Sequence, residues 1–570
     1  MDCPPRIGKT MYIIPAPLAI ILATLLLAAG SFFFENKRKY FGLALLIGLL
    51  ISTPWFVRLA VFSEINFADG LLYVSYSFSC ALFAVLSFGI FSRLRFAKPL
   101  NCILFTLLLI PCGICFAYGI SCKAVLNVDA LIAIWQTNLK EACEYVSEYA
   151  TVTNALLLGV LLAAVYALFL RLSGNRLTLP GKSKKRKKTA LVLLVLLLVC
   201  NGELCYKTSM NSISMVYANA LKSVNEYRLF KKTTHERKET LAASGQLAEI
   251  RVRKGGGIYV LVIGESHNRD YMSAYGYAKE NTPWLSQMKD KENCILFTRA
   301  CSCHTQTIPA LSCALTAKNQ YNGVQLSKAV SVLEAAEAAG CETAWLSNQV
   351  KYGMWDTPVS VIASSAKQQV WLNECTGNTS FTSVYDGELI SALDKIKIKN
   401  KMLIVIHLMG SHIDYDRRYP KEYAKFGAST DEAAYCNSVL YTDAVLKGIY
   451  EKVSGLSGFK TMLYFSDHAS VPKQKLDHDS ARFVSSMTHI PLFICFSEEY
   501  AAAQPEKTAQ LRRAADSCFT NDLIFNLQLA LMGIEIPSLY EKENDLTSKA
   551  YNTDPDRFRT SYGERKTDKR

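Results

Sequence analysis

Ile258-Tyr259-Val260-Leu261-Val262-Ile263 is an unbroken apolar run that ends at Gly264 and opens into Glu265-Ser266-His267. Six residues are too few for an ordinary helix. The β-branched and aromatic content, with glycine as the boundary, predicts a strand buried on both faces. In open α/β sheets, functional groups gather beyond the carboxyl ends of such strands. The polar triplet falls at that place.

Working outward, four more runs of the same kind occur: Thr343–Ser347, Met402–Leu408, Thr461–Phe465 and Ile490–Phe496. Helical periodicity occupies Val330–Ala339, Gly387–Ile396, Glu432–Ser454 and Thr520–Leu531. This alternation predicts an α/β domain: a mainly parallel sheet with helices on both faces. Two of the other strands also end in polar clusters, Gly410-Ser411-His412 and Ser466-Asp467-His468.

Residues before 206 have another character. The chain has 570 residues, of which 50% are hydrophobic and only 20% charged, with a mean hydropathy of +0.13. These values exclude a disordered protein and disfavour a purely soluble one. Six apolar stretches approach the roughly 20 residues needed to cross a bilayer: Met11–Phe34, Tyr40–Phe62, Leu71–Phe91, Leu100–Ile120, Ala155–Leu172 and Thr189–Leu204. The last is short, so the count is five or six. The first lacks a small-residue cleavage site and reads as an anchor.

The net charge of +14 collects beside these stretches, above all at Lys182, Lys184, Lys185, Arg186, Lys187 and Lys188. In that position basic residues fix membrane orientation, and no nucleic acid is expected as a partner. Basic loops follow the first, third and fifth stretches; the loops after the second and fourth are acidic. Basic loops in the cytosol place the remainder of the chain on the far side of the membrane. The expected organisation is 1–205 transmembrane, 206–250 membrane-proximal helices, 251–540 catalytic domain and 541–570 a charged tail. Within the second part, Thr208–Phe230 reads as a helix lying at the interface or as a plain linker.

Glu265, Asp467 and His468 combine two carboxylates with an imidazole on strand ends, a donor set for zinc, with manganese or magnesium as alternatives. Isolated Asp-His pairs are common in turns; clusters at successive strand ends are harder to dismiss. His407, inside an apolar strand, reads as a core or supporting histidine. Thr307 stands before Ile308-Pro309, a helix-start signal. Alone it would read as a helix cap. Beside a metal it becomes a nucleophile facing the exposed amides of a helix end, where a phosphate is favoured.

Together these elements resemble the membrane-anchored phosphoethanolamine transferases of Gram-negative bacteria, within the alkaline phosphatase/sulfatase superfamily. The resemblance spans the anchor and the whole soluble domain. Its motifs are Gly264-Glu265-Ser266-His267-Asn268-Arg269 with Tyr275-Gly276-Tyr277, the segment from Cys303 to Cys313, His407-Leu408-Met409-Gly410-Ser411-His412, Arg418-Tyr419-Pro420, Tyr441-Thr442-Asp443 and Ser466-Asp467-His468. It implies Glu265, Asp467, His468 and Thr307 as zinc ligands, with Thr307 also the nucleophile. It implies His412 and His478 as phosphoryl-holding and proton-transferring residues, with His489 as a competitor for the second role. Asn348 and Lys351 are implied to contact phosphoethanolamine, and Cys303–Cys313 to form a disulfide, a cross-link worth about 2–3 kcal/mol for so short a loop. The implied reaction passes phosphoethanolamine from phosphatidylethanolamine through Thr307 to a glycolipid such as lipid A or lipopolysaccharide core, at the inner membrane with the catalytic domain in the periplasm. The rivals are a phosphoglycerol transferase of the lipoteichoic-acid-synthase type and a non-enzymatic membrane sensor or assembly protein. A sulfatase is disfavoured, since no Cys/Ser-x-Pro-x-Arg stretch is present.

Overall fold

The computed structural model describes residues 36–61, 67–91, 96–131 (129 apart), 152–173, scattered positions between 192 and 241, 244–252, 256–350, 358–373, 384–474, 476, 480–560 and 565–566. The chain divides into two compact units, one up to Ser223 and one from Val224 onward.

The first unit is helical. Its described helices are α1 (Lys37–Ile51), α2 (Thr53–Val61), α3 (Phe67–Phe91), α4 (Ala97–Cys122) and α5 (Val152–Ser173). Among the described residues, Lys98–Cys122 and Leu156–Ser173 are long and apolar enough to cross a membrane, and Tyr73–Phe88 is a shorter apolar segment. The stretch expected as one span over Tyr40–Phe62 is broken at Ser52. Pro54 explains this, because its ring removes an amide and crowds the preceding turn. The runs Met11–Phe34 and Thr189–Leu204 lie outside the described residues. Tyr40, Leu43, Leu82, Phe105 and Phe169 form the unit's core, with Phe105 and Phe169 stacked at 3.8 Å.

The second unit is built on a seven-stranded sheet. In chain order its main elements are β1 (Ile258–Gly264), α6 (Pro283–Lys289), β2 (Cys294–Phe297), α7 (Thr307–Ala314), α8 (Val332–Ala338), β3 (Glu342–Val350), β4 (Gln368–Asn373), α9 (Glu388–Ala392), β5 (Met402–His407), α10 (Asp431–Ser454), β6 (Phe459–Ser466), β7 (Leu492–Phe496) and α11 (Ile524–Met532). Across the sheet the order is β2-β7-β6-β1-β5-β3-β4. Only β7 runs against the rest. The expected strand Ile490–Phe496 starts later, at Leu492, because Pro491 has no amide to give to a ladder.

Every residue of β1 and β5 is buried. Alternate residues therefore serve two cores. Val260, Val262, Ile404, Ile406 and Tyr464 pack with α6, α9 and α10 through Trp284, Leu389, Val445 and Ile449. The opposite face is covered by α8, which packs on β3 and α11. Each aliphatic side chain buried this way contributes about 1.5–3 kcal/mol. The central strands β6, β1 and β5 thus end at a common, immobile edge.

Candidate active site

Three features fix the turn after β1. Gly264 must be glycine, since a Cβ there would strike the Tyr464 hydroxyl. Ser266 is held at φ +61°, a strained backbone for a residue with a side chain. The Tyr435 hydroxyl bridges it, donating to the Ser266 carbonyl and accepting from the Asn268 amide, both at 2.8 Å.

That turn sets Glu265 beside the end of β6. The Ser266 amide donates to Asp467 Oδ1 at 3.0 Å, as does the His468 amide at 2.7 Å. Ligand atoms of Glu265, Asp467 and His468 all lie within 4.8 Å of one another, and all three residues are buried. His468 Nε2 is 3.2 Å from Glu265 Oε1 and 3.4 Å from Asp467 Oδ2. Asp467 Oδ2 is buried and takes no hydrogen bond among the described residues. Burial, then the Asp467 charge, push the Glu265 carboxyl above the usual carboxylate range. Two acids crowded in a dry site, one oxygen unpartnered, are relieved by a bound cation. The imidazole and carboxylate donors fit zinc.

Thr307 completes the group. It is the first residue of α7, and the cap position falls on Gln306, which makes no side-chain capping bond. The Thr307 hydroxyl is therefore not spent on its own helix. Oγ1 lies 3.2 Å from Glu265 Oε2 and 3.3 Å from His468 Nε2. Pro309 falls within the first turn, where a missing amide costs nothing. The hydroxyl thus sits among the same acids and imidazole that would hold the metal.

The model of the Sulfatase family matches residues 258–524. Phosphoethanolamine transferase EptC of Escherichia coli is 27% identical over 415 residues, covering 67% of this chain and 71% of its own. Phosphoethanolamine transferase CptA of Salmonella typhimurium is 25% identical over 417 residues, again covering 67% and 71%. The integral membrane lipooligosaccharide phosphoethanolamine transferase A of Neisseria meningitidis shares the fold over 92% of this chain and 98% of its own, with a TM-score of 0.60 at 19% identity. Residues 258–524 thus carry a Sulfatase-family domain, and over two thirds of its length the chain is similar to proteins named phosphoethanolamine transferases.

His412 is half-buried on a loop folded back onto Glu265. Gly410, at φ +54°, lies so close that a Cβ would come within 2.6 Å of the Glu265 carbonyl oxygen, and the Ser411 amide donates to that oxygen at 2.9 Å. Arg418 braces the loop from the other side, its Nε donating to the His412 carbonyl at 3.1 Å. His478 and Lys351 lie outside the described residues.

Asn348, which the resemblance implies as a phosphoethanolamine contact, lies at the end of β3. It is fully buried, and its amide nitrogen donates to the Val384 carbonyl at 2.9 Å and to Asp386 Oδ1 at 2.8 Å. Its Oδ1 accepts from Asn373 Nδ2 at 2.8 Å. With these partners inside the protein, it supports the His412 loop through Asp386, which also accepts the Met409 and Gly410 amides at 2.8 Å each. His489 is tied to Asp270 at 2.7 Å. His407 lies edge-on to Trp345, and burial holds its pKa down at about 4. Cys303 and Cys313 are both buried, and both stand as free thiols in this structure, without the disulfide that the resemblance implies.

Sequence reasoning missed Asp386, Ser302 and Asn521. Ser302 Oγ donates to the Asp467 carbonyl at 2.5 Å, and Asn521 Nδ2 donates to the same oxygen at 2.7 Å. Asn521 Oδ1 accepts the Cys303 amide at 2.8 Å. These two side chains join the metal-ligand loop to the nucleophile segment. In the turn after β1, the His267 ring bonds the Tyr464 hydroxyl, and burial lowers its pKa to about 4.

Proposed function

We propose that this enzyme moves phosphoethanolamine from phosphatidylethanolamine to an envelope glycolipid, such as lipid A or lipopolysaccharide core, through a covalent adduct on Thr307. One observation carries the reading: the Thr307 hydroxyl lies within 3.4 Å of both Glu265 and His468, beside an Asp467 oxygen that takes no hydrogen bond among the described residues. The residues that would hold zinc are Glu265, Asp467, His468 and Thr307. Zinc bound there lowers the pKa of an alcohol and neutralises charge on a phosphoryl oxygen.

Thr307 Oγ1 attacks phosphorus; the new O–P bond forms as the bond to the diacylglycerol oxygen breaks. The hydroxyl proton ends on diacylglycerol, with His412 as the assisting base and acid. Amides of the first turn of α7 face the phosphoryl oxygens. In the second half, a hydroxyl or phosphate oxygen of the glycolipid attacks the adduct, and Thr307 recovers its proton. His478 and Lys351 complete the phosphoethanolamine site in this reading. In this reading the donor is a lipid, and the enzyme is a multi-pass protein of the inner membrane with its catalytic domain in the periplasm; the apolar helices Lys98–Cys122 and Leu156–Ser173 support it.

The test is mass spectrometry of the full-length enzyme in detergent after incubation with phosphatidylethanolamine. The Thr307 peptide should gain phosphoethanolamine, and Thr307→Ala should abolish both adduct and transfer, lowering the rate by about 10⁴-fold or more. Near-normal transfer by the alanine variant would remove Thr307 from the mechanism. Labelling by phosphatidylglycerol instead would make the enzyme a phosphoglycerol transferase.

A further inference from the structure

Antiparallel strands alternate between residue pairs that exchange backbone hydrogen bonds and pairs that do not; at the latter the Cα atoms approach to about 4.5 Å. Strands β2 and β7 are antiparallel, with Cys294 directly opposite Cys495. The Phe496 amide donates to the Asn293 carbonyl at 2.9 Å. Residues 293 and 496 are thus a hydrogen-bonded pair, and Cys294 and Cys495, one step along, are a close non-hydrogen-bonded pair. That spacing falls in the window of about 4.4–6.8 Å that a disulfide spans. Opposed residues project from the same face, and the two sulfurs lie 2.9 Å apart. Both side chains are buried, with 2% and 0% exposure.

We propose that Cys294 and Cys495 form a cross-strand disulfide that fastens β2 to β7. The proposal rests on the reading that this domain is exported, since disulfides persist in oxidising compartments. The Cys294 thiolate attacks an external disulfide, protein or small molecule, and releases one of its thiols. The Cys495 thiolate then displaces the second. The carrier takes up two electrons and leaves as two thiols, which keep the two protons. Exchange precedes docking of β2, because burial raises the Cys495 thiol pKa and closes access to it.

The bond has a clear place in the design of the domain. β2 is an edge strand, with β7 as its one neighbour in the described sheet. From its end the chain leads directly through Cys301 and Cys303 to Thr307. A clamp here anchors the strand that delivers the nucleophile. It also encloses Thr307, Asp467 and His468 in one covalent loop, and long loops restrict the unfolded chain most.

The experiment uses the full chain purified from membranes in detergent. Free thiols are blocked with N-ethylmaleimide under denaturing conditions, and the protein is digested without reductant. The expected product is a linked peptide pair containing Cys294 and Cys495, lighter by two hydrogen atoms than the separate peptides and lost on reduction. Alkylated Cys294 and Cys495 beside a bonded Cys303–Cys313 pair would overturn the proposal and leave export standing. Alkylation of all four would overturn both. In a second measurement, reductant should lower the Tm of the wild type by more than that of the C294S/C495S variant; equal shifts count against the bond.

Discussion

The two units bury polar groups in opposite ways. In the helical unit, apolar side chains face outward: Leu156, Leu157 and Val160 are 65%, 62% and 69% exposed. Several of its hydroxyls bond back to a carbonyl four residues earlier. Ser52 donates to the Gly48 carbonyl at 2.8 Å, Ser77 to Tyr73 at 2.9 Å and Thr106 to Cys102 at 2.8 Å. This is what a lipid-facing helix requires, since the bilayer offers no partners. In the α/β unit, polar groups are buried at the strand ends, and their partners come from distant segments. One of them, Asp467 Oδ2, takes no hydrogen bond among the described residues. Buried polarity that closes on itself is structural. At the end of β6 the open oxygen belongs to an acid set beside a second acid and an imidazole, and there it marks the chemistry.

Asp467→Asn attacks that contrast most directly. The amide keeps an oxygen for the Ser266 and His468 amides but removes the charge at the open position. Zinc content should fall well below one per chain, and transfer should drop by about 10³-fold or more, while the melting transition stays cooperative. Elemental analysis beside turnover decides it. Stoichiometric zinc in an active variant would mean the open oxygen is not a ligand.

Asp443 is the counterpart: a buried acid that is closed. Its two oxygens accept the Trp284 and Leu285 amides at 2.8 and 3.0 Å, capping α6. Burial pushes its pKa up to about 7, whereas an unfolded Asp titrates near about 3.9. Between those values the native state binds more protons than the unfolded one. Stability should therefore fall as pH rises from about 4 to 7 and level off above that, as far as this residue is concerned. Asp443→Asn should remove that slope, read from denaturant midpoints across the range. An unchanged slope would place the titration elsewhere.

How much of this was legible in the sequence follows the same division. Strands β1, β5 and β6 were readable because both faces are buried and their runs are unbroken. The edge strands were not: β4 reads Gln-Gln-Val-Trp-Leu-Asn and is partly exposed throughout, and β2 has only four residues. Glu265, Asp467 and His468 stood out because charge directly after a buried strand is conspicuous. Thr307 could be singled out but not distinguished from a cap; only the fold shows Gln306 in that position. Asp386, Ser302 and Asn521 left no local signal. Each acts on a residue between 23 and 165 positions away, and nothing in its neighbours announces the partner.

The finest test is one substitution made in both units. Ser302→Ala in the α/β unit removes the donor to the Asp467 carbonyl and an acceptor for Asn521 Nδ2, 3.1 Å away. It leaves buried groups short of partners beside the metal ligands, at a cost of about 1–3 kcal/mol, with a matching loss of turnover. Ser77→Ala in α3 removes a hydroxyl that is equally buried but bonds a carbonyl four residues back on its own helix. Removing it strips no other side chain of a partner, so the change should be about 0.6 kcal/mol or less, with transfer unaffected. Thermal melts and turnover of the two variants, side by side, measure the difference. If Ser77→Ala proved as damaging as Ser302→Ala, the contrast between a hydroxyl closed on its own helix and one shared between distant segments would fail.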